Sequence, residues 1–218
     1  MRIRARYWGL GPLLALGAAL MLLAALPSSA ANGGKGHGKH GATQGAQHSA
    51  MHVRWDITKL VGGAPPGPLE PGGSAIATAP NNDTITLTGT GTFVAPAGNN
   101  GGSGAVTGGG TWHTSAGAGA SGTYAVKELV SFAFDSFQAS TPVFIDHIGA
   151  LNERANGAAV LRISFSNGQS GVLTVGCHGP GATVPIFEGV AVTMGAETFY
   201  TVSTPSGEVG RTIFHVRR

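Results

Sequence analysis

The chain is 218 residues long, 42% hydrophobic and only 11% charged, with 37 glycines, 12 prolines and one cysteine. Its 13 Lys and Arg face 10 Asp and Glu, but Arg2, Arg4 and Arg6 open the chain and leave ten of each sign beyond them. That balance excludes the basic footprint that engages phosphate backbones, so nucleic acid is not an expected partner, and a lone cysteine excludes an internal disulfide.

Residues 1–31 have the layout of an export signal. The three arginines form a basic start, Leu10 to Leu26 is apolar, and Pro27-Ser28-Ser29-Ala30-Ala31 offers the small residues a signal peptidase reads. Cleavage after Ala30 and after Ala31 fit equally well. The alternative is an uncleaved anchor, for which about 17 apolar residues are short. No cysteine follows for lipid attachment, and no later segment is apolar enough to span a bilayer. The expected location is secreted or periplasmic.

Residues 32–52 are low in complexity, with Gly, Ala, Lys, Gln and four spaced histidines, His37, His40, His48 and His52. Nothing here can bury a face, so a linker is expected. The histidines allow weak transition-metal capture, but their spacing matches no closed site. Residues 53–218 are expected to form a single all-β domain.

Val53 to Leu60 reads as the first strand, with Val53, Trp55 and Ile57 alternating against Arg54, Asp56 and Thr58. Gly62 to Gly73 is a Pro/Gly connection, and Ser74 to Ala79 a short strand. From Asp83 to Ala95 the alternation is strict. Ile85, Leu87, Gly89, Gly91, Phe93 and Ala95 share one face, and five threonines, Thr84 to Thr92, share the other. A Gly/Asn loop runs from Pro96 to Ala105. Val106 to Thr114 repeats the pattern, Ala116 to Ala120 turns, and Gly122 to Phe134 is the longest candidate strand.

Glycine, threonine and an aromatic recur together as Gly91-Thr92-Phe93, Gly110-Thr111-Trp112 and Gly122-Thr123-Tyr124. Glycine and ring share a face in each, so the glycines are expected to make room for large rings on neighbouring strands. The unequal spacing indicates a meander rather than a solenoid.

Ser136 to Gly157 reads as irregular, with a turn or two of helix near Leu151 to Ala155. A hairpin follows, Ala159 to Phe165 and Gln169 to Cys177. A two-residue Asn-Gly turn would mix the faces. A three-residue loop, Ser166-Asn167-Gly168 with Gly168 left-handed, sets Leu161 opposite Leu173 and Ala159 opposite Val175. Burying each such side chain contributes about 1.5–3 kcal/mol, which favours the longer loop. Gly189 to Met194, Glu197 to Val202 and Thr212 to Val216 supply the last strands, with a turn-rich Ser203 to Gly210 between them. The predicted fold is an antiparallel meander of roughly eight to ten strands closing into a small barrel, with a two-sheet sandwich as the alternative.

The export signal, the Thr-rich strand ending Gly-Thr-Gly-Thr-Phe, the Gly-Gly-Gly-Thr-Trp strand and the Asn-Gly hairpin ending Val-Gly-Cys-His-Gly-Pro together resemble a group of uncharacterised exported bacterial proteins. The resemblance covers most of the chain beyond the leader and implies no activity. In style the meander is also similar to up-and-down barrels such as the calycins and the allene oxide cyclase barrel, a likeness of architecture that carries no site residues.

Among polar residues, Glu128 stands at an inward parity between Val126 and Val130. Three resolutions are open: a bulge near Lys127 turns it outward, Arg162 or Arg154 pairs with it inside, or it lines a ligand cavity as acid, base or acceptor. Cys177 shares the core parity of Leu173 and Val175, so His178 points the other way and the two are poorly placed as a dyad. Asp146-His147 lies in a long loop, and His113 faces the threonine side. The threonine face is one strand deep and has no fixed repeat, which weakens an ice- or glycan-binding reading. No catalytic motif or phosphate loop stands in a fitting context.

These readings favour an exported, non-enzymatic binding or structural domain without a cofactor. The alternative is a small-barrel enzyme or carrier with an interior anchor at Glu128, with Tyr124 and Arg162 beside it.

Overall fold

The computed structural model describes residues 49–97, 102–116, 118–138, 144–183 and 185–218. The expected signal and nearly all of the expected linker, including His37, His40 and His48, lie outside the described residues. Fourteen strands are described: β1 (Met51–Leu60), β2 (Pro68–Pro71), β3 (Ala75–Thr78), β4 (Thr84–Leu87), β5 (Thr90–Ala95), β6 (Val106–Thr114), β7 (Ala120–Phe137), β8 (Ile145–Asp146), β9 (Arg154–Phe165), β10 (Ser170–Cys177), β11 (Gly189–Met194), β12 (Glu197–Phe199), β13 (Thr201–Val202) and β14 (Arg211–Arg217). No helix among the described residues is long and apolar enough to cross a membrane.

Six strands close a ring of antiparallel pairs in the order β1-β5-β6-β7-β9-β14. The expected barrel is therefore present, with further strands outside it. β10, β11 and β12 extend from β9, β4, β3 and β13 extend from β6, and β2 pairs with β1 and carries β8 on its other side. Phe93, Phe132 and Phe214 come from β5, β7 and β14, no two of which are neighbours in the ring. Their rings nonetheless meet edge to face, at 5.1 Å, 5.3 Å and 6.5 Å. Contacts of that kind must cross the lumen, so the barrel centre is packed with side chains.

Small residues make this packing feasible. A Cβ on Gly89 would sit 2.1 Å from the Tyr124 hydroxyl and 3.1 Å from the Trp55 ring, and one on Gly91 2.8 Å from Trp55 Nε1. Trp55 is fully buried. Two glycines of the Gly-Thr-aromatic phrase work as expected, Gly91 admitting Trp55 and Gly122 admitting Trp112 from the neighbouring strand, whereas Gly110 lies against the backbone of Thr88 and Gly89.

Several expected boundaries move. The alternating run from Asp83 to Ala95 keeps its two faces but splits at Thr88-Gly89, because its partner changes there from β3 to β1. Glu197 to Val202 splits for the same reason, β12 pairing with β11 and β13 with β3. Within the Pro/Gly connection, Pro68 to Pro71 forms β2 against β1. The segment after Ser136 is more regular than expected. It contains β8, and its helical part is one 3-10 turn, Leu151–Glu153, after which β9 begins at Arg154 rather than Ala159. These splits and additions take the strand count beyond the expected eight to ten. The hairpin register is the one expected, with Leu161 opposite Leu173, Ala159 opposite Val175, and Gly168 left-handed at φ 87°.

Candidate functional site

β7 decides the fate of Glu128. Its pairing with β9 slips between Val126 and Glu128, and again between Leu129 and Ser131. The first bulge leaves Lys127 exposed and brings Leu129 inward, fully buried. Of the three resolutions open for Glu128, the structure takes the bulge near Lys127, and the inward parity gives way to an outward side chain. Its carboxylate lies outside the barrel wall, 2.7 Å from the Nε of Arg162, whose side chain is 61% exposed. Tyr124 points the other way. It is buried among core residues, and its hydroxyl donates to the Thr88 carbonyl at 2.8 Å. Burial raises its pKa, which keeps the phenol neutral. The structure thus joins Glu128 to Arg162 and separates both from Tyr124.

Cys177 is buried in the core as its parity requires, with Gln138 Nε2 3.4 Å from its sulfur, while His178 is exposed. Burial first, and then the charge of Glu188, raises the Cys177 pKa well above the ordinary thiol value. His113 is exposed. On the threonine face, Thr88 pairs with Thr111 at 2.8 Å and Thr92 with Thr107 at 2.7 Å, hydroxyl to hydroxyl. These groups satisfy one another. No cluster of three or more metal-ligating side chains occurs among the described residues.

Asp146-His147 separates into two roles. His147 pairs with Glu70 at the surface. The Asp146 carboxylate has no exposed area and is fully engaged. Oδ1 accepts the backbone N–H groups of Ile148 (2.8 Å) and Gly149 (3.1 Å), and Oδ2 lies 2.9 Å from His215 Nε2. Burial opposes its ionisation, but the bonds from His215 and these N–H groups win, and its pKa falls below the ordinary carboxylate value. The loop is held tightly over β14: a Cβ on Gly149 would come within 2.4 Å of the His215 ring.

That loop forms one wall of a groove on the outside of the barrel, with a volume of about 570 Å³. Its floor is the outward face of β5, β1 and β14. Strand register sets His52 beside Arg217 and Val94, and Arg54 beside His215 and Thr92. Ile148, Gly149 and Glu153 line one side, and Gly104 to Thr107 the other. Arg54 donates Nε and Nη2 to the buried Asp56 at 2.8 and 2.9 Å, and Nη1 reaches the Ile148 carbonyl at 3.4 Å. Thr90 donates its hydroxyl to the same Asp56 at 2.7 Å. Arg217 Nε donates to Glu153 at 2.8 Å. The Nδ1 of His215 is buried and has no described partner.

The sequence marks His52 for metal capture and Thr92 and Phe93 as parts of a strand pattern, none of them for this groove. The outward parity of Arg54 is visible in the chain. That it meets His215 and the Ile148 loop depends on contacts across 94 and more residues, which periodicity does not encode. No protein-family model matches the chain, and no curated protein or solved structure matches it.

Proposed function

We propose that this protein is an exported, non-enzymatic binding domain that holds a small molecule in the groove over β5, β1 and β14. The observation that carries this reading is the groove itself. At about 570 Å³ it lies within the range of roughly 300–1,000 Å³ typical of small-molecule sites, and it combines apolar walls with a few convergent polar groups. The lumen is packed with aromatic rings, which supports a ligand outside the barrel rather than within it. The arginine, basic-then-apolar layout of residues 1–31 supports export.

A thermal-shift screen against a small-molecule library tests the binding role, repeated with Ala105→Trp, an exposed groove residue. Hits that raise the melting temperature of the native protein and not of the variant support it. Hits that persist in the variant, or none at all, overturn it. For export, a reporter active only outside the cytoplasm, fused after His52, should be active in cells, and an inactive fusion would refute that part.

A further inference from the structure

We propose that the ligand of this groove is a small amphipathic organic anion, a carboxylate or sulfonate on an apolar body; this rests on the groove being the binding site. The basis is the balance of free hydrogen-bond donors and acceptors on its floor. Four nitrogen-bearing side chains, His52, Arg54, His215 and Arg217, stand in two adjacent rows on β1 and β14. The acids sit beside or behind that floor and are occupied. Asp56 accepts two N–H groups from Arg54 and the Thr90 hydroxyl, and Asp146 is engaged at both oxygens. Only Glu153 keeps an oxygen without a described partner.

A guanidinium carries five N–H groups. Arg54 uses three and Arg217 one in the bonds described. The unused capacity of the two arginines is therefore all donor capacity, held in place by the ion pairs behind it, while the free ring nitrogens of His52 and His215 donate or accept according to tautomer. A carboxylate or sulfonate satisfies the arginine donors, whereas a cationic group meets one free carboxylate oxygen, that of Glu153, and at most the imidazole lone pairs. Because the arginines are already paired, directed hydrogen bonds and not net charge make the selection. Val94 and Val106 on one side and Ile148 on the other supply the apolar contact.

The test uses two probes with the same rings. 8-Anilinonaphthalene-1-sulfonate carries a sulfonate, and N-phenyl-1-naphthylamine lacks it. Each is titrated by fluorescence into protein expressed from the full sequence, and into the variants Ala105→Trp, Thr107→Trp and His52→Gln/Arg217→Gln. The replaced residues are all exposed. The expected result is saturable binding of the sulfonate at least about tenfold tighter than that of the neutral probe, lost in either Trp variant. Removing His52 and Arg217 should cost about tenfold for the sulfonate only. If the neutral probe binds as tightly, or the double variant leaves the sulfonate unaffected, the anion inference is overturned while the groove remains the site. If both Trp variants bind like wild type, or neither probe binds, the groove reading falls as well.

Discussion

Gly91 shows how a single residue constrains this barrel. Its α-carbon lies between Trp55 on β1 and the backbone of β6, and a Cβ there would come within 2.3 Å of the Thr107 carbonyl oxygen. A carbonyl in a ladder cannot give way like a flexible side chain, so Gly91→Ala should destabilise the domain by about 1–3 kcal/mol. Urea denaturation followed by tryptophan fluorescence measures this, and an unchanged midpoint would contradict the packing role. Cys177 is the opposite case, a reactive group made inert by its setting. Its thiol is buried and its pKa raised by that burial, so a thiol reagent should label it only as fast as the domain opens. Denaturant should speed labelling by orders of magnitude. Glu128 and Arg162 form a largely exposed pair, and Glu128→Gln should change stability by less than about 1 kcal/mol. A larger loss would point to a role that the wall-side position does not explain.

At the scale of elements, two carboxylates join pieces of chain that lie far apart in sequence. Asp146 fastens the Ile148–Gly149 loop to His215 on β14. Asp146→Ala would strand those donors and should cost about 3 kcal/mol or more. The pKa of Asp146 is depressed, so its contribution is present above the ordinary carboxylate range and is lost as pH falls through the lowered value.

Glu188 joins the end of β10 to the start of β14 by accepting the N–H groups of His178 (2.6 Å) and Thr212 (2.7 Å). The residue is only half-buried by area, yet its carboxylate lies deep between those donors. Burial raises its pKa from 4.5 to about 7, against the pull of Thr212, His178 and Arg211. Below pH 4.5 both folded and unfolded chains hold this proton. Between 4.5 and about 7 only the folded chain does, so stability from this group declines with rising pH across that window and is level above it. Replacing Glu188 with Gln should flatten that part of the pH–stability curve, measured by chemical denaturation at half-unit steps. The same slope in the variant would exclude Glu188 as its source.

Across the whole molecule, closure depends on a narrow seam. β9 pairs with β14 only at Ala155–Phe214 and Arg154–His215, because β9 then turns away to pair with β10. The Asp146 loop and its bond to His215 reinforce that seam from outside, so groove wall and barrel closure are coupled. Amide exchange at β14 should accordingly accelerate in Asp146→Ala more than exchange at the β6–β7 ladder, which has six paired positions. Equal acceleration would indicate that the loop supports the domain generally and not the seam.

The local alternation of Thr and apolar residues, the three-residue hairpin loop and the inward cysteine follow from a period of two and from the turn preference of glycine, and both are written in the chain. They were enough to reach an all-β barrel and to orient most side chains. The register slip at Lys127 was legible only as one of three ways to resolve an inward Glu128, because a bulge adds one residue without a composition signal; pairing with β9 selects it and turns Glu128 outward. Strand breaks at Thr88-Gly89 and Tyr200 were hidden, since they mark a change of partner and not a change of local preference. The groove lies furthest from the sequence. Its floor comes from both ends of the domain and its walls from two connections between them, so only the closed tertiary structure brings His52, Arg54, His215 and Arg217 onto one face beside Ile148. Local periodicity determines which face a residue takes within its strand. Which strands become neighbours is decided by long-range pairing, where the entropy of closing long loops is offset only once the whole core packs.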